Sequence, residues 1–251
     1  MPKGTVVSSA VAIITALAPR PGHRLLETHL ALEASRIDYQ WLIQVDDESA
    51  GEFPVTLVTD PRVRIEANGQ HVGIAATRNR ALARAEAPLV LNADSDDVPV
   101  PGAIDRLAIA FEDSSVGLAF GDWIEHWPDR DPWIPTRRFT PGRLAPGTVS
   151  RIWYDERWVP FHLAGTMWRT DAVLAAGGWS AVLGGSDIGL LLGVDSVWAG
   201  AYVPGATFIY HHHASQATAS DAWRVQFEHD MHFLRRRYEA LRDRTPYPPE
   251  G

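Results

Sequence analysis

The densest chemistry in the chain is Asp94-Ser95-Asp96-Asp97, placed directly after the apolar run Leu89-Val90-Leu91. Carboxylates at the carboxyl end of a strand in an open α/β sheet point into the crevice where ligands bind. Hard oxygen donors in that position suit Mn²⁺ or Mg²⁺, which keep several waters and bridge one or two carboxylates to substrate phosphates. The plainer reading is an Asp-rich turn that only caps the next helix. A second acidic pair, Asp46-Asp47, follows the short run Trp41-Leu42-Ile43-Gln44-Val45 and faces the same edge. A carboxylate there can accept from a base imide or a ribose hydroxyl. Alone, that pair reads better as a turn; two such motifs in one half of the chain read as a site. The third feature is Tyr210-His211-His212-His213, followed by Gln216. Neighbours alternate in an extended chain, so at most His211 and His213 share a side. One neutral imidazole can complete a carboxylate metal site, with a polar surface loop as the competing reading. There is no H-E-x-x-H and no cysteine, which removes zinc proteases and the cytosine-deaminase type of zinc site.

The surrounding elements must bring these groups together. Residues 11–15 read as a buried strand, 23–36 as a helix with Leu25, Leu26, Leu30 and Leu32 on its apolar side, and 63–65 as extended. Residues 74–87, rich in alanine and arginine, form a helix that Pro88 stops. A helix from Pro101-Gly102 to Phe111 and a strand at 116–120 complete an alternation that implies a doubly wound, mainly parallel sheet with helices on both faces. Lys3, the run 6–17 and Ala16-Leu17-Ala18 mimic a signal peptide. Ser8 and Ser9 interrupt that run, and the α/β pattern continues past it, so the strand reading is preferred. Residues 123–160 carry five tryptophans and six prolines, an ordered insertion rather than a linker. From Ser220, the expected N-cap, a terminal helix carries Trp223, Phe227, Met231, Leu234, Tyr238 and Leu241 as one apolar stripe. Arg235-Arg236-Arg237 reads as its solvated face, and the proline-rich last six residues as frayed.

Thirty-one acidic against 23 basic residues give a net charge of −8, which argues against nucleic acid or an anionic membrane as partner. An acidic protein can hold a diphosphate if a divalent cation sits between the two. No stretch approaches ~18 uninterrupted apolar residues, so no membrane span is expected.

Taken in order, strand 11–15, Val45-Asp46-Asp47-Glu48-Ser49, Gly73-x-x-x-x-Arg78-Asn79 and Asn92-Ala93-Asp94-Ser95-Asp96-Asp97 resemble glycosyltransferase family 2. Gly165-Thr166-Met167-Trp168-Arg169, Gly177-Gly178-Trp179, Ser186-Asp187 and Tyr210-x-x-His213-x-x-Gln216 continue the likeness to about residue 218. The resemblance implies a GT-A fold, α/β and Rossmann-like, as one domain over 1–251. Within it, 1–120 would be the nucleotide-sugar half, 121–219 the acceptor half, and 220–251 a helix and tail. It implies a metal-dependent inverting transferase that uses a nucleotide-sugar, with UDP-sugar the expected donor, Mn²⁺ or Mg²⁺ the cofactor and a cytoplasmic location. Asp47 would contact the base, Arg78 the nucleotide or diphosphate, and Asp94 the ribose or a metal water, with Ser95 beside it. Thr15 and Leu17 would meet the donor through the end of the first strand. Asp96 and His213 would hold the cation, with Asp94 or His211 as alternatives, and Asp187 would be the general base, with Asp155 or Glu156 next in line. Trp123, His162 and Trp168 are the acceptor-side candidates. The sequence departs from the family pattern at Ala16-Leu17-Ala18-Pro19 and at Ser186, where glutamate is usual.

One base and no second nucleophilic carboxylate imply inversion, with ordinary general-base catalysis supplying about 10²–10⁴-fold. A chain without a membrane helix or added domains suits a diffusible acceptor, such as a natural product, small glycoside or oligosaccharide. Two other functions compete: a nucleotidyltransferase, which would be expected to carry a Gly-rich loop with Lys or Arg after the first strand, and a non-catalytic nucleotide-sugar-binding module.

Overall fold

The computed structural model describes residues 9–18, 22–135, 139–216 and 221–242. Strands β1 (Val11–Leu17), β2 (Tyr39–Val45), β3 (Val63–Ala67) and β4 (Leu89–Asn92) lie side by side in the order β3-β2-β1-β4, all parallel. Every residue of β1 and β2 is buried, as strands covered by helices on both faces must be. Side chains alternate across a strand, so β1 feeds two cores. Val11 and Ile13 pack with Leu25 and Leu32 of α1 (Leu25–Leu32) and with Ile104 and Leu107 of the helix that spans 103–109. Ala12 and Ile14 pack on the other face, in a cluster with Ala75 and Ala81.

α2 (Val55–Thr59), α3 (Ile74–Leu82) and α4 (Ala103–Ile109) complete the first half. α1 and α3 both stop earlier than their apolar patterns predict, because tertiary partners claim the next turn. Asp105 accepts from Ser35 Oγ at 2.9 Å and from the Arg36 and Ile37 N–H groups at 3.1 Å. Arg84 turns from the end of α3 to donate to Gln44 at 2.8 Å and to pair with Glu66 at 3.1 Å.

The second half keeps the sheet mainly parallel and adds three short antiparallel strands to it. β8 (Met167–Arg169) enters antiparallel between β4 and β6 (Val116–His126). β9 (Ala199–His211) runs parallel to β6, while β5 (Val98–Pro99) and β7 (Gly142–Leu144) pair antiparallel with β9. The nine strands form one mixed sheet. β8 lies with Met167 opposite Leu91 of β4 and Ala119 of β6, and before it the chain visits the opposite edge of the sheet, where β7 pairs with Gly200–Tyr202 near the start of β9 and Arg143 Nε donates to Ser115 Oγ at 3.1 Å.

α5 (Thr148–Glu156), α6 (Thr170–Ala175), α7 (Ser186–Asp195) and α8 (Asp221–Arg242) cover this half. The stripe on α8 behaves as its spacing predicts. Leu234 and Tyr238 join Trp153 of α5 and Ile188 and Leu192 of α7 in a third core, with Phe227, Met231 and Leu241 packed against it. The arginine run on α8 is not simply solvated. Arg235 donates to the Tyr154 carbonyl and lies over its ring, and Arg237 bonds Ser180 and the Ala176 carbonyl. The signal-like start at 1–8, the Ser220 cap and the tail beyond 242 lie outside the described residues. Among the described residues, no helix is long and apolar enough to cross a membrane.

Candidate active site

The acidic turn after β4 opens into a cleft of about 180 Å³ bounded by Arg78, Asp94, Asp96, Asp187, Tyr210 and Trp223. Arg78 projects from α3 and is nearly inaccessible, its side chain 4% exposed. Its two terminal nitrogens go to different carboxylates: Nη2 donates to Asp94 Oδ1 and Nη1 to Asp187 Oδ1, both at 2.5 Å. The two carboxylates titrate differently. Burial pushes both up, but at Asp94 the charge and hydrogen bond of Arg78, with His162 and Asn92 adding to them, together outweigh burial and hold the carboxyl below its ordinary range. At Asp187 burial prevails over Arg78, and the carboxyl lies above that range. Carboxylates driven apart in this way are suited to different duties.

Asn79, the next residue of α3, fixes the segment that precedes Asp187. Its side chain donates to the Trp179 carbonyl at 3.0 Å and accepts from the Trp179 N–H at 2.8 Å. Gly178, at φ +70°, passes so close that a Cβ there would collide with Asn79 Oδ1. The Trp179 side chain in turn bonds the Asp187 carboxylate, a partner that the sequence motif alone does not reveal.

Beside this array, Asp96 Oδ2 and His213 Nε2 face each other at 3.1 Å. The other ring nitrogen of His213 bonds Ser215 Oγ at 2.8 Å, and Gln216 straps the turn by donating to the His211 carbonyl at 2.9 Å. Among the described residues, no three His, Asp or Glu side chains converge as a closed metal cage. The pair nonetheless fits a hard divalent cation. A ligating histidine is oriented through its second nitrogen, and Mg²⁺-type ions take few protein ligands and fill the rest of their shell with water and phosphate. Asp97 and His211 stand apart from the pair. Asp97 accepts the backbone N–H of His211 at 2.9 Å, and burial, with Asp94 and Asp96 adding to it, drives its carboxyl well above the ordinary range. His211 is buried, and its imidazole is pushed down to about 4.

A second hollow, of about 400 Å³, adjoins the cleft and shares Ala16, Ala18, Ile74, Leu183 and Trp223 with it. Leu17 lines this hollow, as expected. Thr15 does not: it is 1% exposed, and its hydroxyl accepts from Trp41 Nε1 at 2.9 Å, because β1 is still between its neighbours at that residue. Asp46 lines the hollow, but its oxygens are occupied by the N–H groups of Val72 at 2.7 Å and Gly73 at 3.0 Å and by Asn68 at 3.0 Å. Asp47 is half-buried and accepts the Glu48 N–H at 2.7 Å. Ser95 lines the cleft with its hydroxyl 3.0 Å from His23 Nδ1, while His23 Nε2 reaches the Ala18 carbonyl.

Of the acceptor-side candidates, Trp168 is corrected outright. It is 1% exposed and packs in the second core with Phe120 and Leu190, because β8 is an interior strand. Trp123 is half-buried and packs obliquely on Trp158. His162 stacks near Phe208 and Tyr210; burial lowers its imidazole against the opposing charges of Asp94, Glu125 and Asp187, which surround it. The spacing predicts Trp223 in the core stripe, yet its place on the first turn of α8 brings it to the cleft, a position that helical periodicity alone does not show.

Residues 22–174 match the family model described as Glycosyl transferase family 2. A protein of Mesorhizobium japonicum named N-acetylglucosaminyltransferase is 33% identical over 150 residues, 53% of this chain and 35% of that protein. An uncharacterized protein of Mycobacterium tuberculosis is 29% identical over 177 residues, 65% of this chain and 53% of the other. The chain thus spans between a third and about a half of the length of these two curated relatives. Among solved structures, S. aureus TarS 1–349 in complex with UDP-GlcNAc superposes with a TM-score of 0.65 at 15% identity, over 89% of this chain and 65% of that one. The same protein in complex with UDP gives 0.64 at 13% identity, over 92% and 64%.

Proposed function

Because this chain belongs to glycosyl transferase family 2, we propose that it is a metal-dependent inverting glycosyltransferase that moves a sugar from a UDP-sugar to a hydroxyl of a small acceptor. The observation that carries the reading is the buried Arg78 shared between Asp94 and Asp187. Arg78 helps hold Asp94 ionised, while burial raises the Asp187 carboxyl, against Arg78, toward the range useful to a base. In the proposed reaction the acceptor hydroxyl attacks the anomeric carbon, its proton passes to the Asp187 carboxylate, and the C–O bond to the diphosphate breaks with its electron pair leaving on UDP. Arg78 and Trp179 hold Asp187 in place for that transfer. Asp96 and His213 would hold Mn²⁺ or Mg²⁺, which, when bound, offsets the charge that develops on the departing diphosphate. The hollow lined by Leu17, Ala18, Val72 and Gly73 would take the nucleoside.

The relative named N-acetylglucosaminyltransferase and the neighbour solved with UDP-GlcNAc make that nucleotide-sugar the donor to test first. A panel of UDP-sugars incubated with the protein and Mn²⁺ should release UDP from at least one, faster when a sugar acceptor is added. Proton NMR should show a product with the opposite anomeric configuration. Release of pyrophosphate in place of UDP would identify nucleotidyl transfer, and no release from any donor would reduce the chain to a binding module.

A further inference from the structure

The ends of β6 and β9 carry a feature that the donor cleft does not use. The two strands run in parallel with Trp123 opposite Phe208 and Glu125 opposite Tyr210, and the His212 N–H extends the ladder to the His126 carbonyl at 2.9 Å. Alternate residues share a face, so Trp123, Glu125 and Trp127 stand together with Phe208, Tyr210 and His212. Their contacts agree. His212 stacks on Trp127 with ring centres 3.6 Å apart and planes 11° from parallel, and it meets Tyr210 edge-on at 4.5 Å. The carboxylate of Glu125 is the centre of the group. One oxygen accepts from Trp123 Nε1 at 2.7 Å and the other bonds His212 Nε2. With Nε2 engaged, Nδ1 is the His212 nitrogen left to meet a ligand.

Outside this aromatic wall lies a hollow of about 430 Å³ bounded by Trp127, Tyr210, His212, His213 and Gln216. Small-molecule sites span about 300–1,000 Å³. Tyr210 and Gln216 also line the Asp94–Asp187 cleft, and His213 is the partner of Asp96, so the hollow adjoins the place where a sugar would be transferred. A pyranose has an apolar C–H face that suits aromatic carbon and a rim of hydroxyls that suits imidazole and carboxamide. A carboxylated or phosphorylated acceptor would meet the carboxylates of Asp96 and Glu125 nearby.

We propose that this hollow is the acceptor subsite and that it takes a neutral pyranose ring against Trp127 and Tyr210, with His212, held by Glu125, as the hydroxyl-binding group. The inference rests on the glycosyl-transfer reading of the adjoining cleft. It is tested with the full chain saturated with UDP and diamagnetic Mg²⁺, by saturation-transfer NMR titrations with a panel of methyl pyranosides and with acyclic sorbitol. At least one pyranoside should receive saturation at its ring C–H protons, and sorbitol should not. Trp127→Ala should raise the Kd of that pyranoside roughly tenfold, as loss of an aromatic contact does. Glu125→Gln, which keeps shape and loses the charge that holds His212, should weaken it in the same direction, and a melting curve shows whether each variant is folded. If Trp127→Ala does not fold, Glu125→Gln and Trp127→Leu decide the matter. An unchanged Kd in folded variants, or no pyranoside signal in the wild type, overturns the subsite. Absence of UDP release from every UDP-sugar by the wild type overturns the transfer reading instead, so the two failures are told apart.

Discussion

At the residue scale, the decisive group is Arg78, because its two hydrogen bonds divide the labour between two carboxylates. A guanidinium presents a planar fork that serves two acceptors at once, which a lysine ammonium in the same place would not do with the same geometry. Asp187 is the carboxylate that burial leaves above its ordinary range, so protonation would remove the proposed base at a higher pH than for an exposed aspartate. The sign follows: transfer rises with pH as Asp187 ionises, and the acid limb of the kcat profile lies above the ordinary carboxylate range. Asp187→Asn keeps the hydrogen bond to Arg78 through its amide oxygen and deletes the proton acceptor. Its kcat should fall by about two to four orders of magnitude, with the acid limb abolished and UDP affinity close to wild type. Steady-state kinetics across pH, together with calorimetry of UDP, measure all three. Retention of most transfer activity would leave Asp187 as a partner of Arg78 and nothing more.

At the element scale, the proposed base depends on a helix distant in sequence. The turn before α7 is held by α8: the Gly184 N–H donates to Asp230 Oδ2 at 2.8 Å, and Gln226 steadies Asp230 at 3.2 Å. Gly185, at φ +81°, abuts Met231 so closely that a Cβ would collide with it. Asp230 is therefore a positioning residue for the start of α7. Asp230→Ala should lower kcat about ten- to a hundredfold, the scale of a small misplacement of a reacting group, and leave the donor KM nearly unchanged. Asp230→Asn, which can still accept the Gly184 N–H, should restore most of it. A loss of kcat and donor affinity together, or no rescue by asparagine, would show a general structural role. This dependence also explains what the sequence could and could not disclose. β1, β2, β4 and the α8 stripe were legible because buried runs and helical spacing are local patterns. The clustering of Asp94, Asp96, Asp187 and His213 followed from strand-end motifs and a family resemblance. The interior place of Trp168, the burial of Thr15, the use of Asp46 as a loop clamp and the Asp230 bond were not legible. Each depends on a neighbour at least 20 residues away, and such pairings leave no periodic trace.

At the scale of the whole molecule, charge sets the terms on which a donor can enter. The protein carries a net charge of −8. Among the described residues, four aspartates, Asp94, Asp96, Asp97 and Asp187, line the cleft against one guanidinium, and that guanidinium already pairs with two of them. Arg78 is thus poorly placed to attract a diphosphate by itself. Repulsion between like charges in a partly buried cleft is screened less than on the surface. A divalent cation between Asp96, His213 and the diphosphate would reverse the sign of that encounter. UDP titrated into the protein by calorimetry should therefore bind about 100-fold more weakly in chelator than in millimolar Mn²⁺, a difference of about 3 kcal/mol. Asp96→Ala and His213→Ala should each shrink that ratio mainly by weakening the Mn²⁺ arm, because each removes a proposed donor to the cation. Asp187→Asn should leave the ratio intact, since its carboxylate is proposed to take the acceptor proton and not to touch the cation. UDP binding of full strength in chelator would mean that the acidic cleft tolerates the diphosphate without a bridge. The Asp96–His213 contact would then be a structural ion pair that ties the turn after β4 to the end of β9.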